Sequence, residues 1–391
     1  MLDTSFPPWP SYSAEEAETV RNVLLSNRVN YWTGLECREF EREFSAWADV
    51  PYSVALSNGT VALEVALKAL NIGPGDEVVG TPRSFLASVS CVVTSGAIPV
   101  FADVDRDSQN ITAETIRAVL SPRTKAIICV HLAGWPCEMD AIMALAREHD
   151  LVVIEDCAQA HGARYRGRGV GSIGDVGAWS FCQDKILTTG GEGGMVTTSD
   201  PEFWSRMWAY KDHGKSWKTV YEREHPPGYR WLHESFGVNG RMLEIQAAIG
   251  RIQLGSLAHW TAARQSNAHQ IWAVARKLPG LRVPELPDHV EHAAYKCYVF
   301  VEPDNLCDGW NRDRIMHEIS SRGVPCTSGS CSEIYLEKAF DGTGWRPSLR
   351  LPVARELGET SLTFLIHPTL QEQHISKTCE VLTEVLGMAG R

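Results

Sequence analysis

The 391-residue chain has no cluster of Lys or Arg and no acidic block, although 48 Asp and Glu against 37 Lys and Arg leave a formal charge of −11. A nucleic-acid binder normally shows a basic stripe, because phosphate contacts dominate such affinity. That class is disfavoured, whereas a small anionic substrate needs only a few local donors. No apolar run approaches the roughly 20 residues that a membrane-spanning helix requires. The first residues, passing Pro7, Pro8 and Pro10, have neither a basic n-region nor an apolar h-region. The cytoplasm is therefore the expected location. The 11 cysteines include no Cys-x-x-Cys, and their closest pair is Cys326 and Cys331. An odd count without ligand spacing points to reduced thiols, and no His/Cys/Asp grouping predicts a metal site. Repeats of 20–50 residues, a Walker A loop and a G-x-G-x-x-G are all missing, so solenoid, P-loop and dinucleotide readings lack support.

What is present is ordinary globular composition, with 44% hydrophobic and 22% charged residues. The length suits one large domain and a smaller one. Ser13 and Glu16 form a plausible capping box for a helix reaching about Leu25. Phe40, Phe44 and Trp47 then recur at helical spacing. From Tyr52 strands and helices alternate. Val54–Leu56, Val78–Val79, Pro99–Val104, Ala126–His131 and Leu151–Ile154 read as strands. Helices are expected after Thr60, over Ser84–Val93 and over Met139–His149. Such continuous apolar strands suit a parallel sheet covered on both faces. After about Leu254 the texture changes, with a long polar helix over Ala262–Leu278. The expected division is a large domain over residues 1–254 and a smaller α/β domain over residues 255–391.

Three short segments carry chemistry. Lys185 follows Ser180-Phe181-Cys182-Gln183-Asp184 and precedes the glycine-rich Gly190-Gly191-Glu192-Gly193-Gly194. In a pocket, desolvation would lower the lysine pKa and free the amine for Schiff-base chemistry; taken alone, a solvated surface lysine is the simpler reading. Asp156 follows Glu155 after the apolar run Val152-Val153-Ile154, at the carboxyl end where α/β sheets bind ligands. An acid there can hold a pyridine nitrogen protonated or cap a helix. Gln159 could donate to a ring oxygen or serve the local turn. Ser57-Asn58-Gly59-Thr60 lies between a strand and a helix, where free N–H groups and a glycine can seat a phosphate. A phosphate seat, a strand-end acid and a lysine are the minimum equipment for pyridoxal 5′-phosphate (PLP).

With these blocks the chain resembles the DegT/DnrJ/EryC1/StrS sugar aminotransferases, over about residues 7–370. The likeness rests on Ser57–Thr60, Thr81–Phe85, Glu155–Gly162, Ser180–Gly194 and Gly237–Met242 with Glu244 and Gln246–Ala248. It implies the fold type I architecture, with a mostly parallel seven-stranded sheet in the large domain. Lys185 would form the Schiff base and shuttle a proton, Asp156 would pair with the pyridine nitrogen, and Gln159 would contact the ring O3′. Gly59, Thr60 and Ser180 would hold the phosphate, and Phe85 would stack on the ring. Asn239 matches a position that reaches the phosphate in the neighbouring subunit, which implies a homodimer with shared active sites.

The resemblance further implies ping-pong transfer from L-glutamate or L-glutamine to a nucleotide-linked keto-sugar, with a lean towards C4. Amination at C3, a keto-inositol acceptor and a non-catalytic regulator are the alternatives. Relatives with His in place of the lysine act as dehydrases, and Lys185 speaks against that. Ile186 replaces the usual Asn and Arg83 replaces an aromatic or small residue, both expected to border the substrate pocket. His131, His161 and His367 are read as structural, and Glu192 as a turn residue. The polar segment from Tyr210 to Pro227 suits a substrate loop or a plain surface loop. Cys326–Glu333 could line the pocket.

Overall fold

The computed structural model describes residues 6–391. Two helices, α1 (Ala14–Leu25) and α2 (Glu36–Ala48), precede β1 (Tyr52–Leu56) and α3 (Gly59–Ala69). There follow β2 (Glu77–Gly80), α4 (Ala87–Thr94), β3 (Ile98–Phe101), α5 (Ala113–Arg117), β4 (Thr124–Val130), α6 (Met139–His149) and β5 (Val152–Asp156). A short hairpin of β6 (Arg164–Tyr165) and β7 (Arg168–Gly169) leads to β8 (Val176–Ser180) and β9 (Gly194–Thr198). The large sheet has seven strands in the order β1-β9-β8-β5-β4-β2-β3. Only β9 opposes its neighbours; the β8–β5, β5–β4, β4–β2 and β2–β3 pairs are parallel. The strand-rich, buried pattern of β1, β5 and β8 follows from their apolar residues, which face helices on both sides.

The Ser13–Glu16 capping box is present, with each side chain bonded to the other's backbone N–H. α4 starts at Ala87 rather than Ser84, because Ser84 is held in an extended bridge with Cys331. Beyond α7 (Pro201–Tyr210) and α8 (Trp217–Tyr221) lies α9 (Glu244–Ala275), 32 residues long. The division expected after residue 254 falls inside this helix. Ala247 and Leu257 belong to the core beneath the large sheet, whereas Ala268, Ile271, Trp272 and Ala275 belong to the second core. Gly250 does not break the helix. A Cβ there would meet Phe40 of α2 at 2.6 Å, so the glycine permits close packing of α9 on α2.

The second core is built on the antiparallel sheet of β10 (Leu281–Arg282), β12 (Cys297–Val301), β13 (Cys326–Thr327) and β14 (Ser361–Phe364), in the order β10-β12-β14-β13. α10 (Arg312–Ser321), α11 (Pro352–Thr360) and α12 (Glu372–Ala389) accompany it, and β11 (Val290–Glu291) pairs back onto β6. Among the described residues no helix is long and apolar enough to cross a membrane.

Candidate active site

The carboxyl ends of β1, β5 and β8 lie on one edge of the sheet and open into a cavity of about 960 Å³. Gly59, Thr60, Phe85, Asp156, Gln159, Ser180 and Lys185 all line it. Three segments that are distant in sequence therefore meet where α/β sheets place ligands.

Asn58 caps α3 by accepting from Val61 N–H at 2.9 Å, which leaves the first helix donors directed at the cavity. Gly59 sits hard against β8: a Cβ would lie 2.6 Å from Ser180 Cβ. Glycine is thus required for the helix N-terminus and the Ser180 hydroxyl to share one small seat.

Asp156 is buried at the end of β5. Its Oδ2 accepts from Ser88 Oγ at 2.7 Å and its Oδ1 from Ala158 N–H at 3.1 Å. Burial raises the carboxyl above its ordinary value, and the Ser88 bond, the Ala158 amide and the Lys185 charge only partly oppose that. An acid held this way, lining a cavity, matches a cationic ring nitrogen. Gln159 is oriented by Ala133 N–H, which donates to its Oε1 at 2.8 Å. That leaves the amide nitrogen as its remaining donor.

Lys185 keeps only 14% of its side chain exposed. Its Nζ lies 3.7 Å from Asp184 Oδ1 and 5.2 Å from the Tyr295 ring centre. Tyr295 donates its hydroxyl to Asp184 Oδ2 at 2.6 Å. The carboxylate before the lysine is therefore fixed from the smaller domain. Burial and the Asp184 charge raise the Tyr295 phenol well above its usual value, so it stays a donor.

Glu155, the residue before Asp156, points to the other side of β5. Its carboxylate accepts from His131 Nε2 (2.9 Å) and from the N–H groups of Gly171 (2.9 Å), Ile173 (2.8 Å) and Gly174 (2.6 Å). Desolvation would raise its pKa, but His131 and these amides outweigh it and hold it below the usual value. His131, Glu155 and Cys157 lie close enough to share an ion. Their ligand atoms are engaged elsewhere: His131 Nδ1 accepts from Cys137 N–H at 3.0 Å, and burial pushes the Cys157 thiol up. The trio is a structural knot under β5.

Several expectations need correction. Arg83 does not border the cavity. It is fully buried, with Nε on Gln109 Oε1 at 3.0 Å and Nη2 on Ser361 Oγ at 2.7 Å, in the seam towards the smaller domain. Ile186 lies in the core beneath the large sheet. Glu192 lines the cavity rather than merely forming a turn. From Cys326–Glu333 only the stretch at Gly329, Ser330 and Cys331 lines the cavity, and none of residues 211–227 does. Phe85 is 71% exposed at the cavity wall. Asn239 is exposed and does not line this cavity; its backbone bridges to Asp212. Ser88, Asp184 and Tyr295 were missed. Asp184 stood in the Ser180–Gly194 block and Ser88 one helical turn after Ser84, so both left a trace; Tyr295 left none.

The model of the DegT/DnrJ/EryC1/StrS aminotransferase family matches residues 10–383. The chain belongs to that family. It is a PLP-dependent aminotransferase with the fold type I architecture. A solved aminotransferase from Psychrobacter cryohalolentis is 61% identical, with a TM-score of 0.96 over 98% of this chain and 99% of that one. A UDP-N-acetyl-3-dehydro-alpha-D-glucosamine 3-aminotransferase from Acidithiobacillus ferrooxidans is 36% identical over 92% of this chain and 90% of its own. A GDP-perosamine synthase from Caulobacter vibrioides is 44% identical over 58% of each chain. The residues of the cavity fit the cofactor. Gly59, lacking a Cβ, lets the N-terminus of α3 lie against Ser180, so its N–H donors and the hydroxyl share one phosphate-sized seat, and Asp156 is a buried acid whose bonds come from Ser88 and a backbone amide, not from Arg or Lys.

Proposed function

We propose that this enzyme transfers an amino group from L-glutamate or L-glutamine to a nucleotide-linked keto-deoxysugar, at C4, in amino-sugar or surface-polysaccharide synthesis. The observation that carries the reading is the convergence of Lys185, Asp156 and the Gly59 seat on one cavity, in a chain whose relatives are named for nucleotide-sugar amination. Bound PLP supplies an aldehyde that condenses with amines and a ring that accepts electrons.

In this reading Lys185 holds the cofactor through its Nζ and then carries the proton to and from the substrate carbon. Asp156 keeps the ring nitrogen protonated. Gln159 donates to the ring oxygen, and Gly59, Thr60 and Ser180 bind the phosphate. Phe85 covers the ring face and excludes water. Asn239, exposed and outside its own chain's cavity lining, serves the phosphate of a second subunit, so the working form is a homodimer, and the enzyme works in the cytoplasm. Position C4 is the reading taken from the family resemblance; the 44% identical relative is named a GDP-perosamine synthase. Amination at C3 is the second reading, favoured by the 36% identical relative named for that position.

The test is spectroscopic and then chemical. The protein with PLP should show a visible band that borohydride traps on the Lys185 peptide, and Lys185→Ala should bind PLP without trapping or turning over. Incubation with glutamate and 4-keto or 3-keto nucleotide sugars, followed by NMR of the product, decides the ring position. A label on another residue, or product only from keto-inositol, would overturn the assignment.

A further inference from the structure

The loop between Ser180 and Gly190 that bears Lys185 has no regular structure of its own, so its geometry depends on what reaches it. One contact comes from the far end of the chain. Trp9 Nε1 donates to the Lys185 carbonyl oxygen at 2.8 Å, across a separation of 176 residues. The indole is not loosely placed. Its ring meets Trp260 edge-on at 5.2 Å, stacks on His367 at 6.1 Å, and lies 4.9 Å from the Arg264 guanidinium. Arg264 is buried, and among the described residues its Nε and Nη2 have no hydrogen-bond partner, so the aromatic face compensates the cation. The same arm is tied to the smaller domain: Phe6 packs on His374, and Thr369 Oγ1 donates to the Pro8 carbonyl at 3.2 Å.

We propose that Trp9 is a positioning residue for Lys185: its indole N–H fixes the Lys185 peptide and thereby the direction in which the amine enters the cavity. A partly buried carbonyl in an irregular loop is held by the donor it finds, and here the donor belongs to a strap anchored on α9 and the smaller domain. The proposal rests on the reading of Lys185 as the cofactor lysine.

The experiment uses the full chain. Trp9→Phe keeps a ring over Arg264 and removes only the donor. PLP added to cofactor-free protein should become borohydride-trappable on Lys185 more slowly, by roughly five- to tenfold, the scale of one lost hydrogen bond. In a Lys185→Ala background, the same Trp9 change should leave the PLP dissociation constant unaltered. Trp260→Phe, which loosens the packing but keeps the donor, should trap PLP at the wild-type rate. Unchanged trapping in Trp9→Phe overturns the proposal. So does weaker PLP binding in the lysine-free background, or slowing by Trp260→Phe as large as by Trp9→Phe, because either marks a general packing role. Label on a residue other than Lys185 in the wild-type protein would instead overturn the lysine assignment itself.

Discussion

Ser88 Oγ and Asp156 Oδ2 are 2.7 Å apart, so α4 and the end of β5 are joined through the acid that faces the cofactor cavity. Ser88 is in turn 2.9 Å from Ser84, whose own N–H is bonded to Cys331 of the smaller domain. The acid is thus oriented by a relay of hydroxyls. Burial, only partly opposed by Ser88, Ala158 and the Lys185 charge, raises its pKa.

That raised value has a direction in stability. A carboxyl whose folded pKa lies above its unfolded one favours the fold at low pH, and the contribution is lost as pH rises through the folded pKa. At neutral pH the raised carboxyl costs the cofactor-free protein stability, whether it ionises in its buried place or takes up a proton there. Asp156→Asn should therefore raise the melting temperature of the cofactor-free form at pH 7 while lowering turnover by on the order of a hundredfold or more. Calorimetry with and without PLP checks it: the wild type should gain more from PLP than the variant does. Equal gains would mean the acid does not face the ring nitrogen.

Glu155 shows the opposite sign. Its pKa is held below the usual 4.5, so the stability it contributes is present above that value and lost as pH falls through the folded one. Glu155→Gln would set an amide N–H₂ either against the N–H donors of Ile173 and Gly174 or against those of Gly171 and His131, because each pair shares one carboxylate oxygen. Breaking one side of a buried charge-assisted network costs about 3–5 kcal/mol, and urea unfolding should register a loss of that order. A change under about 1 kcal/mol would show that the knot under β5 is not a stability element.

Gly59→Ala tests the phosphate seat. Its Cβ would fall 2.6 Å from Ser180 Cβ and 3.1 Å from the Ser180 Cα, and backbone cannot yield cheaply. The helix N-terminus must move away from β8, and PLP affinity should fall by roughly tenfold to a hundredfold, as expected for losing one or two charge-assisted bonds. Fluorescence titration of PLP measures it. Unaltered affinity would place the phosphate elsewhere.

Much of this site is readable along the chain because its parts sit at strand ends, where an apolar run stops at a functional residue. Asp156 after Val152–Glu155 and Asn58–Thr60 after β1 are of that kind. What could not be read are the residues that meet the site from elsewhere. Tyr295 reaches Asp184 across 111 residues, Trp9 reaches Lys185 across 176, and Ser88 reaches Asp156 across 68. No periodicity encodes such meetings. The start of α9 was misplaced for a local reason: Gly250 and Gly255 weaken a helical pattern, yet at Gly250 the missing Cβ is what seats Phe40. The family resemblance placed Arg83 at the pocket edge; its side chain turns the other way, into the seam with Ser361.

Asn239 offers the sharpest test of shared active sites. It is exposed and absent from its own chain's cavity lining, so Asn239→Ala should leave folding untouched. If it serves the neighbouring subunit's phosphate, the homodimer of this variant should bind PLP roughly tenfold more weakly, the scale of one hydrogen bond to a charged group. Lys185→Ala should be inactive. In a dimer containing one chain of each variant, one site would combine an intact Lys185 with an intact Asn239 from the other chain, and the second site would carry both defects. Random re-association of equal amounts makes about half the dimers mixed, so about a quarter of all sites would be wild type. Activity at limiting PLP should recover to about that fraction on mixing. No recovery, with Asn239→Ala itself impaired, would mean that the asparagine acts within its own chain and that the sites are not shared through it.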